Sequence, residues 1–473
     1  MELKIYNSFT KKKEVFKSIE PGKVGMYVCG PTVYGPPHLG HARSYTNFDV
    51  VRRFLMHLGF NVKYVQNITD VGHLVGDGDE GEDKILKQAK KEQVDPYEIA
   101  YKYEKMYFDA MDKLNILRPS ISARATGFIP EMIKMVQELI DKGYGYLTER
   151  GNVYFSVRKF ARYGQLSNRT LDSNVSGERI DVADDKRAPE DFALWKKAEG
   201  GHLMKWDSPW GEGYPGWHLE CSTLSRKFLG KTFDIHGGGL DNIFPHHECE
   251  CAQSEIANGV KFVNYFMHNN LITVNGTKMG KSLGNFITLE ELYSKFDPMY
   301  VKYFILLFHY RSPVDFTIEA IAKAGEQLEK IRDAYARLLS LTKGKFAMPT
   351  NNTVAGEIYN NFMLAMCEDF NTPLAISEIL KINKLVSGIE ANVSEENIKL
   401  AEELLGILNQ MKEIFGLTLE IETKNQESSK EEVLLDIIAD VRTKLRGQKN
   451  YEMSDYIRDQ LNNNNIVVKD KKI

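Results

Sequence analysis

Apolar positions along the chain follow two rhythms, short runs closed by glycine and longer stretches at helical spacing. Gly25-Met26-Tyr27-Val28-Cys29 is a run of the first kind, the pattern of a buried strand. A loop rich in glycine and proline follows over 30–37. Phe48, Val51, Phe54, Leu55 and Leu58 then recur at helical spacing, and Gly59 stands where that helix should end. Val62-Lys63-Tyr64-Val65 reads as the next strand. Strand, loop, helix and strand in this order point to a parallel nucleotide-binding unit. A second half begins near 215, where Thr232-Phe233-Asp234-Ile235-His236 runs into Gly237-Gly238-Gly239 and a helix is expected from about Pro245.

Between the halves, 118–214 has the pattern of an insertion: one amphipathic helix over 129–142, hairpin strands around 146–155, and polar loops such as 173–177. From Ile318 the pattern is almost entirely helical. Thr372 and Pro373 read as the N-cap and first turn of one such helix. The polar stretch 419–432 reads as a linker, with a small module after it.

Composition narrows the class. A chain of 473 residues exceeds one hydrophobic core, and 42% hydrophobic with 27% charged residues is ordinary for a soluble enzyme. No apolar run approaches the roughly 20 residues of a membrane span, and the first residues lack the apolar segment of a signal peptide. A cytoplasmic location is the expectation. The net charge of −4 does not announce a nucleic-acid binder, although a neutral total can contain a basic stripe. Five cysteines do not form a secreted disulfide framework. In a reducing compartment they are packing groups, metal ligands or nucleophiles.

Two motifs carry candidate chemistry. His38-Leu39-Gly40-His41 sits where the loop enters the first helix, and a helix N-terminus attracts anions. Two imidazoles there add phosphate donors, and Gly40 lets a flat base approach the backbone. His57-Leu58-Gly59 repeats three of these residues as a plain helix end, so the tetrapeptide alone is weak evidence. Far downstream, Lys278-Met279-Gly280-Lys281-Ser282 follows the apolar run Leu271-Ile272-Thr273-Val274. Two lysines three apart in a glycine-bearing loop can close on a polyphosphate.

With both motifs in this order, the chain resembles the class I aminoacyl-tRNA synthetases, whose hallmarks are His-Ile-Gly-His and Lys-Met-Ser-Lys-Ser. Leu39 and Gly280 are the departures, one in each. A third constellation consists of His246 and Glu250, four apart on the expected helix and so on one face, with Cys29 at a strand end and Cys221 in the helical run 218–228. Two thiolates, an imidazole and a carboxylate would make a four-ligand zinc site. Cys249 and Cys251 point off that face at helical spacing and read as packing cysteines. Cys367 reads as core, and His247 as an orienting group.

Six further stretches narrow the resemblance to the cysteinyl-tRNA synthetase family. They are Tyr27-Val28-Cys29-Gly30-Pro31-Thr32-Val33-Tyr34, Asn67-Ile68-Thr69-Asp70, and Pro215-Gly216-Trp217-His218-Leu219-Glu220-Cys221-Ser222. Phe233-Asp234-Ile235-His236-Gly237-Gly238-Gly239, Phe244-Pro245-His246-His247-Glu248 and Asp369-Phe370-Asn371-Thr372-Pro373 complete the set. The resemblance implies an α/β Rossmann-type catalytic domain (1–117 and 215–317) split by a connective insertion (118–214). A helical tRNA-binding bundle (318–418) and a linker with a small anticodon-binding module (419–473) would follow.

It further implies that cysteine is activated with ATP and passed to the terminal ribose of tRNA(Cys). Zinc on Cys29, Cys221, His246 and Glu250 would hold the substrate thiol, and Mg²⁺ would accompany ATP. Catalytic roles fall to His38, His41, Lys278 and Lys281. ATP contacts come from these four with Gly40, Met279 and Ser282, and Thr69, Trp217 and His236 enclose the amino acid. Arg442, Lys444, Arg446, Lys449 and Arg458, interleaved with Tyr451 and Tyr456, would grip the anticodon. The sequence stops at Lys471-Lys472-Ile473, where relatives commonly continue through a Gly and a Trp. A monomer is expected. The rival readings are a ligase joining cysteine to an amino sugar and a non-catalytic zinc- or RNA-binding paralogue.

Overall fold

Strands buried on both faces need near-continuous apolar runs, and helices must cover both faces of the sheet they form. Five strands form a wholly parallel sheet: β1 (Lys23–Val28), β2 (Asn61–Ile68), β3 (Ile121–Arg124), β4 (Phe233–Gly239) and β5 (Val263–Asn269). Their order is β5-β4-β1-β2-β3, the doubly wound arrangement expected of the two halves. The computed structural model describes residues 1–75, 81–170, 185–279, 285–420, 426–448 and 450–463.

β1 is central, pairing Tyr27 with Val65 of β2 and with His236 of β4. The chain order reverses between β1 and β4, and such sheets bind ligands in the crevice beyond the strand ends at that point. Three helices begin at this edge: α1 (Leu39–His57), α2 (Trp217–Leu229) and α3 (Glu248–Asn258).

The sheet extends past 117, because β3 lies inside the stretch expected as insertion. Only one of its four residues is buried, the signature of a sheet edge, so it carries no apolar run. The rest of 118–214 holds the helix Ile129–Asp141 and a four-stranded antiparallel sheet. Gly145–Leu147 and Val153–Phe155 are the expected hairpin. Phe192–Lys197 and Gly213–Pro215 are two strands the sequence pattern did not reveal. The 173–177 loop lies outside the described residues.

Downstream, helices Ile318–Thr342, Val354–Cys367, Thr372–Ile379, Ile382–Ala391 and Glu395–Phe415 follow one another. Asn371, rather than Thr372, is the N-cap of the third, its side chain accepting from the Leu374 amide at 3.2 Å. The chain divides into two compact units, Met1–Leu419 and Glu420–Ile473. The second contains helices Gln426–Gly447 and Tyr451–Asn463. The first of these begins inside the stretch expected as linker, since Gln, Glu and Lys favour helix whatever their polarity. Among the described residues, no helix is long and apolar enough to cross a membrane.

Candidate functional site

At the start of α1 the first motif builds its own cap. His38 is the N-cap residue, its Nδ1 accepting from the Gly40 amide at 3.1 Å, while His41 Nδ1 accepts from the His38 amide at 3.2 Å. Histidines thus take the reciprocal capping roles usually filled by Ser and Glu. The rings stack at 3.8 Å between centroids. A Cβ on Gly40 would lie 2.9 Å from His38 Cε1, so a side chain there would push the folded-back ring out of its place.

The second motif approaches the same place. Leu39 donates its amide to Ile287 O at 3.2 Å, and Leu289 donates to Pro37 O at 2.9 Å. Met279 Cε lies 3.6 Å from the Cβ position of Gly40. Lys278 belongs to a short strand paired with Ile272–Val274 and is described through its backbone alone. Gly280, Lys281 and Ser282 lie outside the described residues.

The metal-ligand candidates converge at the reversal point of the sheet. Cys29 directly follows β1 and donates its amide to Gly237 O of β4 at 3.1 Å. Cys221 lies in the second turn of α2, His246 in the turn before α3, and Glu250 in the first turn of α3. Cys29 Sγ is 3.8 Å from Cys221 Sγ and 3.8 Å from Glu250 Oε1. His246 Nε2 is 3.5 Å from Cys221 Sγ and 3.1 Å from Glu250 Oε1. All four donor atoms lie within 4.8 Å of one another and are buried. A second quartet overlaps it, Cys29, His236, His247 and Glu250, within the same limit. His247, expected only to orient, has its Nε2 3.1 Å from Cys29 Sγ.

Burial sets the electrostatics. It pushes the Cys221 thiol up to about 11, raises Cys29 well above its usual value and raises the Glu250 carboxyl. Burial also holds His268, which lies 2.7 Å from His247, down to about 3. Burial disfavours the anions of these thiols and this carboxyl; a bound cation reverses that logic and favours them. The donor set therefore fits a metal ion. Nearby groups fix its orientation: His236 Nε2 meets Glu250 Oε2 at 2.8 Å, and His218 Nδ1 faces His246 Nδ1 at 2.9 Å. Cys249 lies 3.3 Å from the Tyr163 hydroxyl; Cys249 and Cys251 are buried and outside both quartets.

The remaining pocket candidates surround this cluster. Trp217 stacks on His246 at 4.2 Å and on His73 at 3.9 Å. Thr69 donates its hydroxyl to buried Glu220 at 2.7 Å, and Asn67 donates to the same oxygen at 3.3 Å. His236, expected to enclose the substrate, is buried with its Nε2 on the Glu250 carboxylate. Sequence reasoning passed over His73 and Glu220, whose placement depends on tertiary contacts. Lys84, a donor only, approaches His73 Nε2 at 2.7 Å, so that nitrogen accepts and Nδ1–H faces Thr32 Oγ1.

In the second unit one expectation is corrected. Arg442 is buried with its Nε donating to Ser454 O at 3.3 Å, so it is a core group there and does not present itself to phosphates. A long aliphatic stem lets Arg pack inside a two-helix unit, which charge counting ignores. Arg458 is paired with Asp455 at 3.0 Å, Tyr451 and Tyr456 are exposed, and Lys449 and the last ten residues lie outside the described residues.

The profile described as "tRNA synthetases class I (C) catalytic domain" matches residues 15–326, and that of the DALR domain matches 361–420. Cysteine–tRNA ligase of Chlorobium luteolum is 49% identical, covering 100% of this chain and 98% of that protein. The enzymes of the same name from Bacteroides fragilis and Thermus thermophilus are 45% and 43% identical, each with 100% and 98% coverage. Among solved structures, Mycobacterium tuberculosis methionyl-tRNA synthetase with methionyl-adenylate matches at TM-score 0.61 and 14% identity, over 83% of this chain and 92% of that one. The ternary complex of Agrobacterium radiobacter K84 LeuRS with tRNA and LeuAMS matches at TM-score 0.61 and 12% identity, over 85% of each. At these identities the structural likeness concerns the fold.

Proposed function

The chain belongs to the cysteine–tRNA ligase family of class I synthetases, and we propose that Cys29, Cys221, His246 and Glu250 hold a zinc ion that selects its amino acid. The reaction is ATP-dependent ligation of cysteine to tRNA(Cys). The cysteine carboxylate attacks the α-phosphorus of ATP, forming cysteinyl-adenylate and releasing pyrophosphate. A hydroxyl of the terminal ribose then takes the cysteinyl group and AMP leaves. When bound, zinc supplies a soft Lewis acid that favours a thiolate over the hydroxyl of serine.

The chain's own residues do the rest. His38 and His41, at the positive end of α1, bind phosphate or ribose oxygens, and Gly40 leaves room for the flat adenine ring. Lys278 and Lys281 neutralise charge developing on pyrophosphate, with Met279 and Ser282 in the same loop. Mg²⁺ enters with ATP as the counterion of its phosphates. Thr69 and Trp217 wall the amino-acid pocket, while His236 orients Glu250. No protein nucleophile is required. Exposed groups of the terminal unit, Tyr451 and Tyr456 among them, contact the anticodon, and the protein works as a cytoplasmic monomer.

One observation carries the metal assignment: two thiols, an imidazole and a carboxylate from three chain segments meet within 4.8 Å at the reversal point of the sheet. Cys221→Ser and His246→Ala should each lose bound zinc and cysteine-dependent ATP–pyrophosphate exchange together. Unchanged activity in either overturns it. The tRNA reading is favoured over the amino-sugar ligase, since cysteine–tRNA ligases match the chain over its full length, helical region included. Offering a glucosamine-type acceptor beside tRNA discriminates directly, because transfer to sugar alone would reverse the reading.

A further inference from the structure

Asp369 belongs to the helical region, far along the chain from either catalytic motif, yet its carboxylate is fully buried and accepts from three separate groups. Oδ1 takes the Tyr6 amide at 2.8 Å and the Tyr310 hydroxyl at 2.7 Å, and Oδ2 takes Arg311 Nε at 2.7 Å. Its own amide donates to Lys4 O at 3.0 Å. The backbone is bent to make this possible. Asp369 and Phe370 lie consecutively at φ +64° and +54°, a left-handed conformation disfavoured for residues with a Cβ and kept where surrounding contacts over-determine it.

The segment that Asp369 grips, 309–316, supports both motifs. Buried Arg43, two residues after His41 on α1, donates to Tyr310 O at 3.3 Å, to Ser312 O, and to Asn270 O at 2.9 Å. Asn270 returns its amide to Tyr310 O at 2.8 Å. Four residues on, Val314–Phe316 pairs in parallel with Ile272–Val274, the strand whose hairpin partner is Thr277–Lys278. Tyr310 is therefore held at both ends, its carbonyl by the helix of the first motif and its hydroxyl by Asp369.

We infer that Asp369 is a positioning residue for cysteine activation, fixing Tyr310 and Arg311 so that the 309–316 segment holds both motifs in register. This rests on the ligase reading above. Buried networks of charge-assisted hydrogen bonds hold one geometry tightly when every member is satisfied. Asn in place of Asp369 keeps an acceptor for Tyr6 and Tyr310 but turns an amide N–H₂ toward Arg311, donor against donor. Misplacing groups that act mainly in the transition state lowers kcat and leaves substrate affinity in place.

The test measures cysteine-dependent ATP–pyrophosphate exchange for the full-length wild type, Asp369→Asn and Tyr310→Phe. Tyr310→Phe removes one hydroxyl and keeps the ring, so it remains informative if the first variant does not fold. The expected result is a kcat at least tenfold lower in Asp369→Asn and severalfold lower in Tyr310→Phe, with the KM for cysteine and bound metal within twofold of wild type. Kcat within twofold of wild type in Tyr310→Phe and in any folded Asp369→Asn would overturn the inference. So would a loss appearing wholly in KM. A wild type without cysteine-dependent exchange would instead overturn the reading beneath it.

Discussion

His236 Nε2 meets Glu250 Oε2 and His218 Nδ1 faces His246 Nδ1, contacts that restrict the rotation of two of the four proposed ligands. Removing such an outer partner typically costs about 10–100-fold in metal affinity. His236→Ala should therefore weaken zinc binding by that order in a chelator competition, with the fold retained; unchanged affinity would return His236 to a substrate-facing role. Gly40 offers a second residue-scale prediction. Ala there drives a Cβ to 2.9 Å from His38 Cε1 and unstacks the imidazole pair, so adenylate formation should fall at least about tenfold, roughly 1.4 kcal/mol. Equal exchange kinetics in Gly40→Ala would show that the stacked geometry is unimportant. The juxtaposition of Cys29, Cys221, His246 and Glu250 was legible because one pair is four apart on a helix, Cys29 follows a strand and Cys221 lies early in a helix that starts at the same sheet edge. His73, Glu220 and the reach of Asp369 were not, since contacts between distant segments place them.

Between elements, α1 is tied to the helix Pro298–Leu306 by a buried charge cluster. Asp49 Oδ2 accepts from Lys302 Nζ at 3.1 Å and from Arg53 Nε at 2.8 Å, with Lys302 fully buried. Removing one partner of such a pair strands the other, at a cost of about 3–5 kcal/mol. Asp49→Ala should lower stability by that amount in denaturant melts, and Lys302→Met by much less, because Arg53 still satisfies Asp49. Burial pushes the Lys302 ammonium down to about 8, whereas an unfolded lysine titrates near ~10.4. Between those values the unfolded chain binds more protons, so this group's contribution to stability rises with pH. Wild type should gain on Lys302→Met from pH 8 to pH 10, and a falling difference would contradict the assignment. Elements with strong apolar periodicity, β1, β2, β4 and α1, could be read from the sequence. β3 could not, since an edge strand with one buried residue has no run to read; in the insertion, Phe192–Lys197 buries four residues in succession without alternation and Gly213–Pro215 is only three residues long.

For the whole molecule, the division at Leu419 separates a unit containing the sheet, both motifs and the Asp369 clamp from a two-helix unit beginning at Glu420. Adenylate chemistry belongs to the first. A chain ending at Leu419 should keep cysteine-dependent exchange within about twofold and raise the KM for tRNA at least about tenfold, roughly 1.4 kcal/mol. Loss of exchange on truncation would mean that the second unit contributes to the activation site itself. The central claim is that this chain activates cysteine and recognises it by its thiol. ATP–pyrophosphate exchange by the intact protein, run in parallel with cysteine and serine, tests it most directly. The account predicts exchange with cysteine and a rate with serine lower by a factor on the order of 10⁴; no cysteine-dependent exchange, or comparable rates with the two amino acids, would contradict it.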